Sequence, residues 1–416
     1  MNLYLFNDKN IASAFGIGTY IKELVSALES SNIHIHIVHL HAVCPTFEIE
    51  KTNQIENWYI PEICNNEISF NSIQNIEDYC RNVLYLLRLY IPEDTENLIF
   101  HFNYNQYQWL AKELKTVFDC KTVTTIHFVK WILELQGNLS LFRALRTKPE
   151  NQRNSFEQML ITTDEYEILL YKEVDRVIAL SQHMQHILVT EYQLDPDKTF
   201  VMPNGLEDKS PLIETNREDL RRKWKVPEKE FIILFAGRLN AVKGLMFLIR
   251  AFRKVLGKAP DCRLIIAGNG NFDTYIQEAR DICTKVTFTG LLEKQELYEL
   301  YQIADIGVMP SFHEQCSYVA IEMMMHGLPV IGSTSTGLKE MIVDSETGLH
   351  IPVTEHSDSV EIDTSLLAEK MLYLLQHPEE RKRLGANASR RYETVYSAEI
   401  FRKNMLNIYH SLLQAV

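Results

Sequence analysis

The sequence predicts an α/β protein made of two parallel-sheet domains. Its 416 residues are too many for one ordinary hydrophobic core. Apolar strand patterns alternate with helical patterns from residue 2 to residue 202, and the same alternation restarts at Phe231 after a charged segment. Strands that alternate with helices form a parallel sheet covered on both faces, so each series is expected to build its own sheet.

The first series opens with a strand at residues 2–6, a loop containing Gly16 and Gly18, and an amphipathic helix. The two glycines would let a ligand approach the backbone and the helix start, although a plain turn explains them equally well. His127 falls at the carboxyl end of a later strand, where ligands of parallel sheets lie. A structural histidine at a strand end is the alternative. The further strands are predicted at 33–40, 98–102, 123–127, 176–180 and 199–202.

Two charged segments are expected to lie outside the sheets. Residues 138–153 contain four basic residues and few apolar ones, which favours a solvent-exposed loop; a contact with an acceptor or a membrane headgroup is the alternative. Residues 207–230 follow the turn signal Pro203-Asn204-Gly205 and are rich in charge. We interpret them as a linker whose second half is already a helix of the next domain.

The second series forms the second domain, residues 231–396. Its first strand starts at Phe231, and the other strands are predicted at 264–267, 286–289, 306–309, 330–331 and 349–351. Residues 397–416 carry an apolar helical stripe after this domain should be complete. They are expected to cross back and complete the first domain, residues 1–206.

Residues 306–329 combine a strand, a loop and a helix that ends at Gly327. Glu314 lies in the loop and Glu322 lies in the helix, whose first residues are Ser317, Tyr318 and Val319. Unpaired amide groups and the helix dipole favour an anion at a helix start. Two cations, Arg238 and Lys243, follow the first strand of the same sheet, at the same edge. This combination suits a nucleoside diphosphate, with Glu322 accepting from the ribose hydroxyls.

Composition limits the partners and cofactors. The net charge of −13 argues against nucleic acid or an anionic membrane as a whole-surface partner. No apolar run approaches ~20 residues and the first ten residues lack a secretory signal, so a cytoplasmic location without a transmembrane segment is expected. The seven scattered cysteines indicate neither a disulfide framework nor a zinc site.

No metal is expected at the diphosphate. The only Asp-x-Asp, Asp195-Pro196-Asp197, precedes a predicted strand instead of following one, and we interpret it as a loop. Without a metal, Arg238, Lys243 and the helix dipole must stabilise the charge of the leaving group.

Short motifs follow one another through the second half of the chain. They are Gly237-Arg238-Leu239 with Lys243-Gly244, Ala267-Gly268-Asn269-Gly270, Phe288-Thr289-Gly290, Ala304-Asp305 to Ser311, Glu314 to Glu322, and Gly327-Leu328-Pro329-Val330. Their order resembles that of glycosyltransferase family 4 (glycosyl transferases group 1). The resemblance is thinner in the first half, where Gly16-Ile17-Gly18, Thr125-Ile126-His127, Ser181 and Pro203-Asn204-Gly205 carry it.

The resemblance implies the GT-B architecture, two Rossmann-like domains facing across a cleft, and retaining, metal-independent transfer from a UDP- or GDP-sugar. It assigns Arg238 and Lys243 to the diphosphate, with the amides near Tyr318 and Val319. It assigns Glu322 to the ribose and Glu314 to hydroxyls of the transferred sugar. Gly16 and Gly18 would face the diphosphate and acceptor, and His127 the donor sugar.

Three departures from the family pattern affect the donor sugar more than the activity. The segment after Glu314 lacks the usual Gly-Phe-Gly-like sequence, a Gly-Gly pair is replaced by Thr336-Gly337, and Phe128 stands where an Asp commonly follows His127. A sugar-nucleotide epimerase, a phosphorylase and a catalytically silent partner subunit are the alternative functions. The acceptor stays open between a sugar, a lipid-linked sugar, a small molecule and a peptide, as does a peripheral membrane contact.

Overall fold

The computed structural model describes residues 1–8, 16–52, 55–62, 73–210 and 216–414, and the chain divides into two compact units. The second unit consists of Trp131–Thr147 and Leu206–Ser397. The first unit consists of Met1–Lys130, Lys148–Gly205 and Ala398–Val416. The loop before Gly16, at residues 9–15, and linker residues 211–215 lie outside the described part of the chain.

The first unit contains an eight-stranded sheet in the order β3-β4-β2-β1-β5-β6-β7-β8. Its neighbouring strands are parallel, except that β3 is antiparallel to β4. The strands are β1 (Asn2–Asp8), β2 (His34–Ala42), β3 (Glu48–Thr52), β4 (Ile55–Pro61), β5 (Leu98–Phe102), β6 (Cys120–Ile126), β7 (Arg176–Ala179) and β8 (Thr199–Val201). The chain builds the sheet outwards in both directions from β1, which is the doubly wound pattern.

The helices of this unit are α1 (Gly16–Leu28), α2 (Ile73–Tyr90), α3 (Gln108–Val117), α6 (Ser155–Glu173), α7 (Gln182–Thr190) and the terminal α16 (Ala398–Gln414). Helix α4 (Lys130–Glu134) crosses the boundary between the units, because Lys130 belongs to the first unit and Trp131 to the second. Helix α5 (Leu139–Thr147) belongs to the second unit. Helix α16 packs against α1. Its buried residues recur every three or four positions and give it one apolar face: Phe401, Met405, Ile408, Tyr409 and Leu412.

The second unit contains a six-stranded parallel sheet in the order β11-β10-β9-β12-β13-β14. The strands are β9 (Phe231–Ala236), β10 (Cys262–Ala267), β11 (Val286–Gly290), β12 (Ile306–Met309), β13 (Val330–Ser333) and β14 (Gly348–Ile351), followed by the antiparallel pair β15 (Val353–Glu355) and β16 (Val360–Ile362). Its remaining helices are α8 (Arg217–Lys223), α9 (Leu245–Leu256), α10 (Asp273–Glu278), α11 (Lys294–Ile303), α12 (Tyr318–Met325), α13 (Leu338–Met341), α14 (Thr364–Gln376) and α15 (Pro378–Arg391).

The strand order of the second unit reverses between β9 and β12. Strands β10 and β11 lie on one side of β9, whereas β12, β13 and β14 lie on the other. In doubly wound sheets the crevice at such a reversal, outside the carboxyl ends of the strands, is where ligands bind. The α/β class predicted from the sequence is therefore confirmed, and the fold marks the loops after β9 and β12 as the candidate site.

The expectation of a loop at residues 138–153 is wrong, whereas the expected solvent exposure holds for most residues of the segment. Most of that segment is α5, in which Phe142 and Leu145 are buried. The ring of Trp131 stacks on Phe142 with 4.0 Å between centroids, and the Asn138 side chain donates to the carbonyl of His356. The bond from Asn138 to His356 joins residues 131–147 to the rest of the second unit, although the sequence placed them in the first domain.

Glycine is required at Gly244, where the loop after β9 crosses the end of β12. Its φ is +65°, and a Cβ there would lie 2.0 Å from the carbonyl oxygen of Pro310. We expect Gly244→Ala to lower the free energy of unfolding by roughly 2–4 kcal/mol, because backbone strain adds to a backbone clash. Gly290→Ala is the matched control: its φ is +75° but nothing lies within 4 Å, so about 1–2 kcal/mol is expected. Equal losses in urea titrations would refute the role of the Pro310 contact.

Candidate active site

An ion pair joins the loops that follow β9 and β12. Lys243 Nζ lies 2.5 Å from Glu314 Oε1, and the Ser311 hydroxyl donates to the same oxygen at 3.0 Å. Both charged side chains are largely buried, with 18% of Lys243 and 11% of Glu314 exposed. The amide of Phe312 also donates to the carbonyl of Val242 at 2.7 Å, so the two loops are fixed to each other by backbone as well as by charge.

Thr336 holds the backbone of Glu314. Its hydroxyl donates to the Glu314 carbonyl at 2.6 Å and accepts from the Glu314 amide at 3.0 Å. The φ of Thr336 is +32°, a strained value for a β-branched residue. The Gly337 amide also donates to the Glu314 carbonyl at 2.8 Å. Thr336, which replaces the first glycine of the family's Gly-Gly pair, therefore fixes the backbone of Glu314. The sequence did not reveal this role.

Arg238 follows β9 directly, and its side chain is exposed. The glycine before it has a φ of +144°, and its amide donates to the carbonyl of Ala267 at the end of β10. The next residue, Leu239, donates to the Asn269 carbonyl and is buried. Arg238 thus stands between two anchored neighbours at the carboxyl edge of the sheet, where its guanidinium group is accessible to a ligand.

Glu322 is buried, with 1% of its side chain exposed. Its Oε1 pairs with Lys294, and its Oε2 accepts from the Tyr301 hydroxyl at 2.9 Å. Burial, together with the Glu322 charge, raises the pKa of Tyr301 well above its usual value, so the phenol stays a donor. Both partners lie on α11, a helix that the sequence did not single out.

The start of α12 follows the Glu314 loop, and Ser317 is the residue before its first turn. The Ser317 amide contacts the sulfur of Met341 at 3.2 Å. The amides of Tyr318 and Val319 belong to the first turn, whose N–H groups have no acceptor within the helix. Of the three residues predicted for phosphate binding, Tyr318 and Val319 therefore offer the better-placed amides.

His127 follows β6 in the first unit and is neutral. Its Nε2 lies 3.0 Å from Asn103 Oδ1, while the amide nitrogen of Asn103 donates to the Phe6 carbonyl. This second bond fixes the Asn103 amide, so Nε2 of His127 carries the proton and Nδ1 is an acceptor. Burial and the neighbouring His101 lower the pKa of His127 to about 3. An acceptor nitrogen at this position suits a hydroxyl donor.

His101 lies behind His127 in a buried network of hydroxyl groups. Its Nδ1 contacts the Tyr409 hydroxyl and its Nε2 contacts the Thr125 hydroxyl, each at 2.7 Å. Thr125 also contacts the hydroxyl of Tyr20, whose ring meets His127 edge-on. The terminal helix α16 thereby supports the environment of His127 through His101.

This network predicts acid sensitivity. Burial lowers the pKa of His101 to about 3, whereas an unfolded histidine titrates near 6.5. The unfolded chain therefore takes up a proton as the pH falls below 6.5, and stability decreases between pH 6.5 and pH 3. At pH 5 the loss is about 2 kcal/mol for this residue.

The free energy of unfolding of His101→Gln should vary less between pH 5 and 7 than that of the parent. The exposed His34→Gln is the control; a slope unchanged by His101→Gln would contradict the assignment.

The prediction that Gly16 and Gly18 lie in a loop is wrong, because both belong to the first turn of α1; their role at a ligand stays a prediction. Gly16 is the exposed first residue of α1, and a Cβ added there would meet nothing within 4 Å. Gly18 lies in the first turn of the same helix. Asp195 precedes a short 3-10 helix and accepts from the Asp197 amide at 2.9 Å, which accounts for this Asp-x-Asp as a local cap.

Two family models match most of the chain. Glycosyltransferase Family 4 matches residues 15–209, and Glycosyl transferases group 1 matches residues 216–391. The chain belongs to the group 1, family 4 glycosyltransferases. The two matches divide this glycosyltransferase near the same place as its two compact units.

Curated relatives of this glycosyltransferase include an uncharacterized glycosyltransferase of Methanocaldococcus jannaschii, 34% identical over 44% of this chain and 49% of the relative. A D-inositol 3-phosphate glycosyltransferase of Corynebacterium aurimucosum is 30% identical over 63% of this chain and 61% of the relative. The chain spans about half to two thirds of the length of these relatives.

Solved structures share the fold. A sucrose-phosphate synthase of Thermosynechococcus elongatus superposes with a TM-score of 0.76 at 21% identity, covering 100% of both chains. HepE of Anabaena, solved in complex with UDP, gives a TM-score of 0.71 at 15% identity, covering 99% of this chain and 100% of HepE. These neighbours are GT-B glycosyltransferases, so the GT-B class of fold expected from the resemblance, with a parallel sheet in each of two domains, is confirmed. Among the described helices, none combines the length and apolar character needed to cross a membrane.

Proposed function

We propose that the chain is a retaining, metal-independent glycosyltransferase that moves a sugar from a UDP- or GDP-sugar to an acceptor hydroxyl. The observation that carries the proposal is the Lys243–Glu314 pair at the strand-order reversal of the second unit. There it lies at the same sheet edge as Arg238, with the first turn of α12 following the Glu314 loop. Cations and amides suit a diphosphate, and the carboxylate suits the hydroxyls of a sugar.

The pair can serve both parts of the donor. An ammonium group has three N–H donors, so Lys243 can hold Glu314 and still donate to phosphate oxygens. Glu314 Oε1 already accepts from Lys243 and Ser311, which leaves Oε2 to accept from a hydroxyl of the transferred sugar. In this arrangement one ion pair positions the sugar relative to its leaving group.

Charge stabilisation of the leaving diphosphate would then come from Lys243, Arg238 and the α12 amides. Such preorganised donors contribute several kcal/mol to a transition state in which charge develops. We propose same-face attack, in which the bond from the sugar to the phosphate oxygen breaks, the acceptor oxygen bonds to the same carbon, and the leaving phosphate takes the acceptor proton. Neutral His127, with Nδ1 as acceptor, would orient a hydroxyl of the donor sugar.

Glu322 would bind the ribose. A carboxylate offers about four acceptor positions, and Lys294 and Tyr301 use two of them. The remaining positions can accept from ribose hydroxyls. The UDP complexes of HepE and the GDP-mannose-dependent relative from Corynebacterium glutamicum support a UDP- or GDP-linked donor.

A thermal-shift panel tests the proposal. UDP, GDP and their sugars are added to the full chain with and without EDTA, because a ligand that binds only the folded state raises its stability. We expect one nucleotide family to raise the Tm, with no loss in EDTA, and turnover to retain the anomeric configuration by NMR. Absence of a shift with both nucleotides, or inversion at the anomeric carbon, would overturn the proposal.

A further inference from the structure

A pocket of about 430 Å³ lies in the first unit, where β1, β2 and β4 end. Its lining includes Asn7 from β1, His39 from β2 and Tyr59 from β4, with Glu48 and Glu50 from the antiparallel β3. The volume is in the range of small-molecule sites. Because ligands of such sheets bind outside the carboxyl ends of the strands, the position is that of a ligand site.

Two stacked rings form one wall. His39 and Tyr59 are direct neighbours in the β2–β4 pairing, and their rings stack with 4.7 Å between centroids and 10° between planes. In the antiparallel β3–β4 pair Tyr59 lies opposite Glu48. Its hydroxyl donates to Glu50 Oε2 at 3.2 Å. A flat ring beside hydrogen-bonding carboxylates suits a hydroxylated ring, whose C–H face packs on the aromatic wall while its substituents reach the acids.

The pocket is negatively charged. Its described lining contains Glu48 and Glu50 but no lysine or arginine. His39 adds no positive charge, because the Asn7 amide donates to its Nδ1 at 3.3 Å and its Nε2–H donates to Asn57 Oδ1 at 2.9 Å. The Tyr104 hydroxyl donates to Asn7 Oδ1, which fixes the orientation of that amide. An anionic ligand would therefore meet two carboxylates, with no lysine or arginine among the described lining residues to compensate them.

We propose that this pocket binds the acceptor, and that the acceptor is a hydroxylated ring compound bearing an amine or no charge rather than a phosphate. The inference rests on the proposed glycosyl transfer and names the substrate class of that reaction. An ammonium group would pair with Glu48 or Glu50 at the rim, and the ring would lie on His39 and Tyr59. The two carboxylates at the rim would repel a phosphate and weaken its binding.

Three cyclitols of the same ring size test the inference: 2-deoxystreptamine, myo-inositol and myo-inositol 1-phosphate. Saturation-transfer NMR titrations of the full chain at low ionic strength should show the amine binding at least tenfold more tightly than the phosphate, with the neutral ring between them. In E48Q/E50Q the ratio of amine to phosphate affinity should fall to less than threefold. The control E93Q/E96Q changes the charge equally at exposed positions before β5 and should keep the ratio.

Several outcomes would overturn the inference: tighter or equal binding of the phosphate, an unchanged ratio in E48Q/E50Q, or no binding of any of the three rings. A UDP and GDP titration of the same samples reports separately on the proposed function. Nucleotide binding with a preference for the phosphorylated ring refutes only the acceptor class. Cyclitol binding in the expected order without nucleotide binding refutes the glycosyltransferase proposal and leaves the charge selectivity of the pocket standing.

Discussion

Lys243→Met is expected to reduce donor turnover roughly 10²–10³-fold, the usual effect of removing one preorganised donor to a developing charge. It should also lower the free energy of unfolding by about 1–3 kcal/mol, because the largely buried Glu314 loses its cation. Adding Glu314→Gln removes that lone charge. The double variant should therefore regain the stability while turnover stays low, as measured by urea titration and nucleotide release.

Arg238→Met separates the two effects. Because the Arg238 side chain is exposed, its substitution should lower the free energy of unfolding less than Lys243→Met does, yet turnover should fall by a similar factor. Lys258→Met is the matched control, since Lys258 is exposed and follows α9 at the opposite edge of the sheet. If Lys258→Met and Arg238→Met retain equal turnover, Arg238 does not bind the diphosphate.

Glu322→Gln is expected to raise the KM for the donor about 10–100-fold, because hydrogen bonds between ribose and a charged acceptor are lost. The amide oxygen still accepts from Tyr301, so the protein should stay folded. Donor saturation curves and thermal melts provide the two measurements.

Glu299→Gln is the control for this substitution. Glu299 is also buried, on α11, and pairs with Lys223 at 2.7 Å and with the Trp224 ring nitrogen at 3.0 Å. If Glu322 had only a structural role, Glu322→Gln would give the same result as Glu299→Gln: some loss of stability and an unchanged KM for the donor. That result would remove Glu322 from the donor site.

The strands could be located from the sequence wherever an apolar run is bounded by polar residues. The predicted bounds 98–102 and 306–309 coincide with β5 and β12. The β3–β4 pair was missed because β3, at Glu48–Thr52, is exposed along its length except at Ile49, and so lacks the apolar signal of a buried strand. Helix α5 was missed because the ring on which Phe142 packs, Trp131, lies outside the charged segment.

The sequence predicted which residues lie at the candidate site, but not which of them pair with one another. Glu322 stands in a helix as its pattern indicated, and Lys243 follows the first strand of its sheet. Which cation meets which acid depends on tertiary packing: Lys294 and Tyr301 lie on α11, and Thr336 precedes α13. No spacing rule links residues so distant in the chain. The ligand roles of Arg238, Glu314, His127 and Gly16 stay predictions until variants are measured.

The position of α16 has a consequence for biosynthesis. Residues Ala398–Val416 belong to the first unit, and the face of α16 that contains Phe401 and Tyr409 is buried there. During translation the second unit emerges in full before this helix leaves the ribosome. The first unit is thus completed only after the second unit has been made, and until then the nascent chain exposes the apolar groove that α16 will fill. A truncation before Ala398 would leave that groove open to chaperones and proteases.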